Sequence, residues 1–260
     1  MDTVNVTAEV VQADLRRRIE AGEFAPGDRL PKLVDLMAEY SVKSRSAMDR
    51  ALRTLASEGL LTIRQGSGIY VTKRHVVHRD LVANLRIEHE RAVRGEVPDH
   101  GLFETNTGVG DVEVTTSYEL VNASPAVAER LQVAAGTPLL ARTFKFAIAG
   151  LPHQVARSFM TTDLAQRAGL TSPQSERLGV GTMMQLKEAG VLPDRVQLRL
   201  EARMATPDER EALAIGPGTP VFEHWRVMSR QGVPVEVSTA IVAGDRVGYD
   251  LNIELADNQS

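Results

Sequence analysis

Residues 43–46 read Lys-Ser-Arg-Ser, and residues 64–68 read Arg-Gln-Gly-Ser-Gly. The first cluster offers an ammonium, two hydroxyls and a guanidinium within four residues. The second adds a cation, an amide and a hydroxyl between glycines that leave backbone amides uncovered. Together with Lys32 these are hydrogen-bond donors for oxygen-rich, anionic surfaces. A guanidinium can grip the O6 and N7 edge of guanine with two bonds. An ammonium is a point charge that suits phosphate, where it fixes register without reading sequence.

The elements that must position these groups lie between Pro26 and Val71. Ala47, Ala51, Leu52, Leu55 and Ala56 recur near helical period, while Lys43, Arg45, Arg50 and Arg53 fall elsewhere. Ser44 or Ser46 can cap the start and Gly59 can take a left-handed end, predicting a helix over roughly 46 to 58. Leu60, Leu61 and Ile63 form a first strand, Ile69 and Val71 a return strand, with Gln65, Gly66, Ser67 and Gly68 at the tip. Glycines there let the backbone enter a narrow groove. A short helix, a turn, a second helix and a hairpin make a winged helix-turn-helix, and DNA its first partner to consider. The plain alternative is a small helical bundle with a hairpin.

These residues resemble the GntR superfamily of bacterial transcription regulators. The resemblance is carried by Gly22 with Phe24, PGDRLP at 26–31, Tyr40, Ser44 with Arg45, Ala51 with Leu52, EGLL at 58–61 and RQGSGIYV at 64–71. It implies DNA contacts from Lys32, Lys43, Ser44, Arg45, Ser46, Arg64, Gln65, Gly66, Ser67 and Gly68, with Arg45 as the guanine reader and Lys32, Lys43 and Arg64 on phosphates. Two departures stand out: Lys32, Leu33 and Val34 replace a Ser-Glu-Arg-like run, and Ala47, Met48 and Asp49 replace a Thr-Val-Arg run. Asp49 either reads a base or points away from DNA, because a carboxylate repels phosphate. Arg50 and Arg53 are read as solvated charges.

The chain has 260 residues, 43% of them hydrophobic, enough for two ordinary domains. No apolar run is long enough to span a bilayer and no apolar leader opens the chain, so a cytoplasmic, membrane-free protein is expected. Zero cysteines exclude disulfides, thiolate metal sites and cysteine nucleophiles. The net charge of −4 argues against a general nucleic-acid binder, but residues 1–75 hold 12 Lys or Arg against 10 Asp or Glu. So small a local excess favours two subunits sharing one operator, hence a homodimer. Val6 to Ala21 reads as an opening helix, with the run Arg16, Arg17, Arg18 outward. Residues 72–80 read as a linker, Leu81 to Arg94 as a helix and Gly95 to Gly110 as a loop. His75 and His78 could face together as metal ligands, but nothing completes such a site, and no metal or cofactor is expected.

From about 111 to 256 the chain repeats itself. Residues 128–153 and 209–235 each give a short helix, a Gly-Thr-Pro turn, a long strand, a glycine turn and a further strand. Ser124-Pro125 and Thr206-Pro207 cap the helices, strands at 112–121 and 195–204 precede them, and Ser175 to Ala189 reads as a longer helix between the units. The expected fold is α+β, with an antiparallel sheet and packed helices in the second part. This half resembles the effector (UTRA-type) domain of the HutC branch of GntR regulators, which has a chorismate-lyase-like fold. The resemblance rests on the two Gly-Thr-Pro turns, Arg142, Pro152, Arg157 with Ser158 and Phe159, Pro234 with Glu236, and Asp245 with Arg246. It implies a small-molecule pocket at Arg142, Arg157, Ser158, Phe159 and Glu236, with Arg142 as anchor for an anionic group. The Arg-x-Arg pair some members use on phosphate is here Arg142, Thr143, Phe144, which argues against a phosphosugar.

The expected layout is a winged helix over 1–75, a linker over 76–84 and an effector and dimerisation domain over 85–260. The expected function is a homodimeric regulator, a repressor, that leaves an inverted-repeat operator when an effector binds. A regulator without a ligand and a lyase-like enzyme are the alternatives. Against the enzyme, the six histidines are scattered and no Gly-x-Ser-x-Gly elbow or phosphate-cradling loop occurs.

Overall fold

The computed structural model describes residues 7–64, 66–72, 76–97, 112–177 and 179–253. It divides into one unit of Met1–His75 with Met204–Pro220, and another of Val76–Arg203 with Val221–Ser260.

In the first unit, α1 (Ala8–Glu20), α2 (Leu33–Glu39) and α3 (Arg45–Ser57) enclose Val11, Leu15, Leu36, Met48, Leu52 and Leu55. The arginine run on α1 is tied within the unit. Arg16 pairs with Glu58 at 2.5 Å, Arg17 with Asp14 at 2.6 Å, and Arg18 with both Glu23 and Glu39 at 2.6 Å. Arg18 also donates to the Tyr40 hydroxyl at 2.9 Å, so it joins α1 to the end of α2. Gly59, at φ 73°, breaks the chain away from α3 into β1 (Leu61–Arg64), which pairs antiparallel with β2 (Gly68–Val71).

The second unit is built on a six-stranded sheet in which Val112–Asn122, Pro138–Ile148, Leu151–Thr161, Val233–Ala243, Pro220–Arg230 and Arg195–Met204 are neighbours in that order. A short strand β3 (Val77–Asp80) leads into α4 (Leu81–Arg94). Then come β4 (Val112–Asn122), α5 (Pro125–Leu131), β5 (Pro138–Ile148), β6 (Leu151–Thr161), α6 (Thr162–Arg167) and α7 (Thr182–Glu188). The chain continues through β7 (Arg195–Met204), α8 (Pro207–Leu213), β8 (Pro220–Arg230), β9 (Val233–Ala243) and β10 (Val247–Asp250). One face of the sheet packs on α5 through Val127, Leu131, Leu139, Phe159 and Val237. The other face is covered by α4, α6 and α7, through Ala92, Leu164, Met183 and Leu186 against Leu140, Met160 and Met228.

Two local readings are corrected. Residues 76–84 are not a linker: Val77–Asp80 pairs in parallel with β10, Val77 opposite Val247, and the Asp80 carboxylate caps α4 by accepting from Val82 and Ala83 amides. The span 175–189 is not one helix. Pro173–Ser175 is a single 3-10 turn, and Gly179 and Gly181, at φ 88° and 87°, delay α7 until Thr182. The loop expected over 95–110 lies mostly outside the described residues, as does His75.

The internal repeat is carried into the backbone at a constant offset of 82 residues. Ser124 and Thr206 both cap their helices, accepting from Val127 and Glu209 amides, and Gln132 and Ala214 both end them left-handed. The β5–β6 hairpin shifts register at Phe146/Ala147 and the β8–β9 hairpin at Met228/Ser229, the equivalent place. One difference is informative. Gly136 takes φ 81°, whereas its counterpart Gly218 packs on α3: its amide donates to the Ser57 carbonyl at 3.1 Å, and a Cβ there would collide with that oxygen.

Candidate functional sites

The first site is the solvent face of α3. Met48, Ala51, Leu52 and Leu55 are buried, which turns Arg45, Ser46, Arg50 and Arg53 outward with Asp49 half-buried among them. Ser44 is the N-cap: its Oγ accepts the Ala47 amide at 3.3 Å and lies 2.9 Å from Ser46 Oγ. Lys43 and Lys32 are exposed, the latter as the N-cap residue of α2. Arg50 and Arg53 share the face of Arg45, which local sequence reading did not separate from the rest of the surface.

In the hairpin, Gly66 and Ser67 form the exposed tip, where Ser67 Oγ lies 2.9 Å from the Tyr70 hydroxyl. Gly66 has open space around it, but Gly68 does not: a Cβ there would stand 2.7 Å from Arg29 Nε. Gly68 also takes φ 129°, a backbone conformation that side chains rarely adopt, so glycine is required there by the turn as well. Gln65 and the Arg64 side chain lie outside the described residues.

The second site is a cavity of about 440 Å³ on the sheet face beneath α4 and α7. Strand pairing sets its floor in rows. Arg142, Ser158, Ser238 and Arg226 are aligned across β5, β6, β9 and β8, and the next row on that face is Phe144, Ala156, Ala240 and His224. Small residues on the two central strands leave the hollow; Phe144, Phe146, Val112, Val114 and Leu198 give it apolar walls.

The five residues expected at an effector pocket are distributed as follows. Ser158 lines the cavity, and Arg142 and Glu236 lie on the same sheet face but are wholly buried. The Arg142 guanidinium donates to Glu176 at 3.1 Å, Gln185 at 2.9 Å, Ser158 at 3.0 Å and Thr182 at 3.1 Å. Glu236 accepts from Arg226 at 3.2 Å. Arg157 and Phe159 alternate to the opposite face. There the Arg157 guanidinium lies 5.3 Å from the Phe159 ring centre and reaches Glu119 at 3.4 Å, and Phe159 joins the core under α5. Arg157 is nonetheless among the residues that line the cavity.

Sequence reading missed Arg79, Asn84, Glu88, Glu176 and His224, all of which line the cavity. Arg79 donates to Gln154 Oε1 at 2.7 Å, and burial pushes its pKa down. Glu88 accepts the Met183 amide at 3.0 Å. Burial, and then the charge of Arg79, push the His224 imidazole down to about 4, so it is neutral at physiological pH. The Tyr118 hydroxyl, half-buried and bonded at 2.5 Å to Glu176, is raised to about 12 and stays protonated. Asn84 Nδ2 and His224 Nε2 are buried without a hydrogen-bond partner among the described residues, leaving polar capacity at the cavity. Among the described residues no group of three or more His, Asp or Glu side chains is placed to hold a metal ion, and no helix is long and apolar enough to cross a membrane.

A winged helix with cations on the solvent face of α3, and a sheet domain around a cavity, are the parts expected of a DNA-binding regulator with a ligand-binding domain. Residues 7–71 match the gntR family of bacterial regulatory proteins and residues 113–248 match the UTRA domain. The chain belongs to the GntR family of transcriptional regulators, in its HutC-type form with a UTRA domain. It is 26% identical over 249 residues to an uncharacterized HTH-type transcriptional regulator of Streptomyces coelicolor, covering 93% of this chain and 90% of that protein. The histidine utilization repressor of Klebsiella aerogenes is 31% identical over 113 residues, covering 35% of this chain and 46% of that one. The crystal structure of PhnF from Mycobacterium smegmatis shares the fold at TM-score 0.50 and 20% identity, over 95% of this chain and 100% of that chain.

Proposed function

We propose that the protein is a homodimeric repressor that binds an inverted-repeat operator through paired α3 helices and lets go when a small molecule occupies the cavity of the sheet domain. The observation that carries this reading is the solvent face of α3, where Arg45, Ser46, Arg50 and Arg53 stand together opposite the buried Met48, Leu52 and Leu55. A helix so divided can lie in a major groove with its back on the core. The net excess of two cations in residues 1–75 is small, which supports two copies on one site.

The cavity supports binding rather than catalysis. Glu176 is engaged by Arg142, Tyr118 and Gln185, and Glu88 by the Met183 amide, so its carboxylates are spoken for. Its histidine is neutral, and its Nε2 has no hydrogen-bond partner among the described residues. The domain layout we propose keeps 1–75 as the reading head and the sheet as effector and dimerisation domain. Release requires the ligand to bind the arrangement that cannot hold DNA more tightly than the one that can. An operator in bacterial DNA places this work in the cytoplasm.

The test is footprinting of purified full-length protein on genomic DNA, followed by anisotropy titration of the recovered duplex over a range of salt. An inverted repeat, one dimer per site by sedimentation, and a steep log-log salt slope are expected. Protection without sequence preference, or one monomer per site, would overturn it.

A further inference from the structure

Asp49 is the acidic member of an otherwise basic face. It lies one helical turn after Arg45 and one before Arg53, with Ser46 and Arg50 beside it. Its side chain is 45% exposed, and its Oδ2 stands 3.9 Å from the Nε of Arg45, itself 78% exposed. So open an ion pair adds little to the helix. Stability does not account for a carboxylate here, and general attraction to phosphate is opposed by it.

The chemistry of base edges does account for it. A carboxylate only accepts. Guanine presents two acceptors in the major groove and thymine presents an acceptor and a methyl, so both are refused. Adenine's amino group sits beside its own acceptor N7, whereas cytosine's own major-groove edge offers an amino group beside a C–H and no acceptor. One turn of helix advances about 5.4 Å, and base pairs stack about 3.4 Å apart, so Arg45 and Asp49 reach base pairs one or two steps apart.

We propose that Asp49 reads a cytosine in each operator half-site, within two base pairs of the guanine held by Arg45. The inference rests on the reading that α3 enters the major groove. It makes the base at that position a property of this chain's own acid, so that the operator differs there from one read by a cation.

Selection from a random duplex pool with the full-length protein, followed by sequencing, tests it. Wild type should enrich two half-sites, each with a guanine and a nearby cytosine. Asp49→Asn should move that cytosine to adenine, which an amide grips at N6 and N7, by roughly tenfold, and leave the guanine in place. An unchanged motif in Asp49→Asn would overturn the role of Asp49 while the DNA reading stands. A change at the guanine instead would make Asp49 a positioner of Arg45 and overturn it as a reader. No motif from wild type, with normal circular dichroism, would overturn the DNA reading itself.

Discussion

Arg142 and Glu176 form an ion pair at 3.1 Å in which the arginine side chain is 0% and the glutamate 7% exposed. The pair ties β5 to the segment ahead of α7, and Gln185 and Tyr118 complete the carboxylate's partners at 2.8 and 2.5 Å. Arg142 is thereby a tie beneath the cavity, and any effect on ligand response would pass through the groups it holds.

Arg142→Ala should destabilise the sheet domain by about 3–5 kcal/mol, since it strands a buried carboxylate. Thermal unfolding without any ligand checks this. The double variant Arg142→Met with Glu176→Gln should recover most of the loss, because neither charge is left unpaired. A single variant that melts like wild type would refute the tie.

His224 predicts a pH effect. Its native pKa of about 4 lies below the ordinary 6.5, so between these values the unfolded chain binds more protons than the folded one. Its contribution is complete above pH 6.5 and is lost as pH falls toward 4. The size is on the order of 3 kcal/mol. In His224→Gln, urea midpoints taken from pH 7.5 to 4.5 should fall less steeply than in wild type; parallel curves would remove His224 as the cause.

Gly218→Ala should lower stability by about 1–3 kcal/mol, because the added Cβ meets the backbone oxygen of Ser57 and neither can rotate away. Gly216→Ala, whose Cβ would stand 3.1 Å from the Ala56 oxygen, should cost less. Melting temperatures of the two variants decide the order.

Arg45→Ala removes an exposed side chain outside the core, so the fold should be unaffected. Operator affinity should fall roughly tenfold to a hundredfold, with relaxed preference at one base per half-site. Equal affinity in an anisotropy titration would take Arg45 out of the readout.

The first unit was legible because its signals are local. Ser44, Gly59 and the alternation from Leu61 to Val71 each act within a few residues, and α3 differs from its expected span by one residue at either end. The second unit's hairpins were legible as a repeat for the same reason. Val77–Asp80 was not, because its partner β10 lies some 170 residues away and no local pattern announces a parallel pairing. The faces of β6 were not legible: Arg157 and Phe159 sit next to Ser158, and only the strand period separates them. The cavity's helix-borne groups, Asn84 and Glu88, come from a segment with no motif of its own.

The offset of 82 residues relates Arg142 to His224, Phe144 to Arg226, Ala156 to Ser238 and Ser158 to Ala240. The row Arg142-Ser158-Ser238-Arg226 is therefore the image of the row His224-Ala240-Ala156-Phe144, and Arg157 opposite Thr239 marks the pseudo-dyad between them. Perfect symmetry would give a floor that reads alike from both ends and cannot tell a molecule from its reverse. Divergence has left hydroxyls on one side of that axis and methyls on the other, so the floor has a head and a tail.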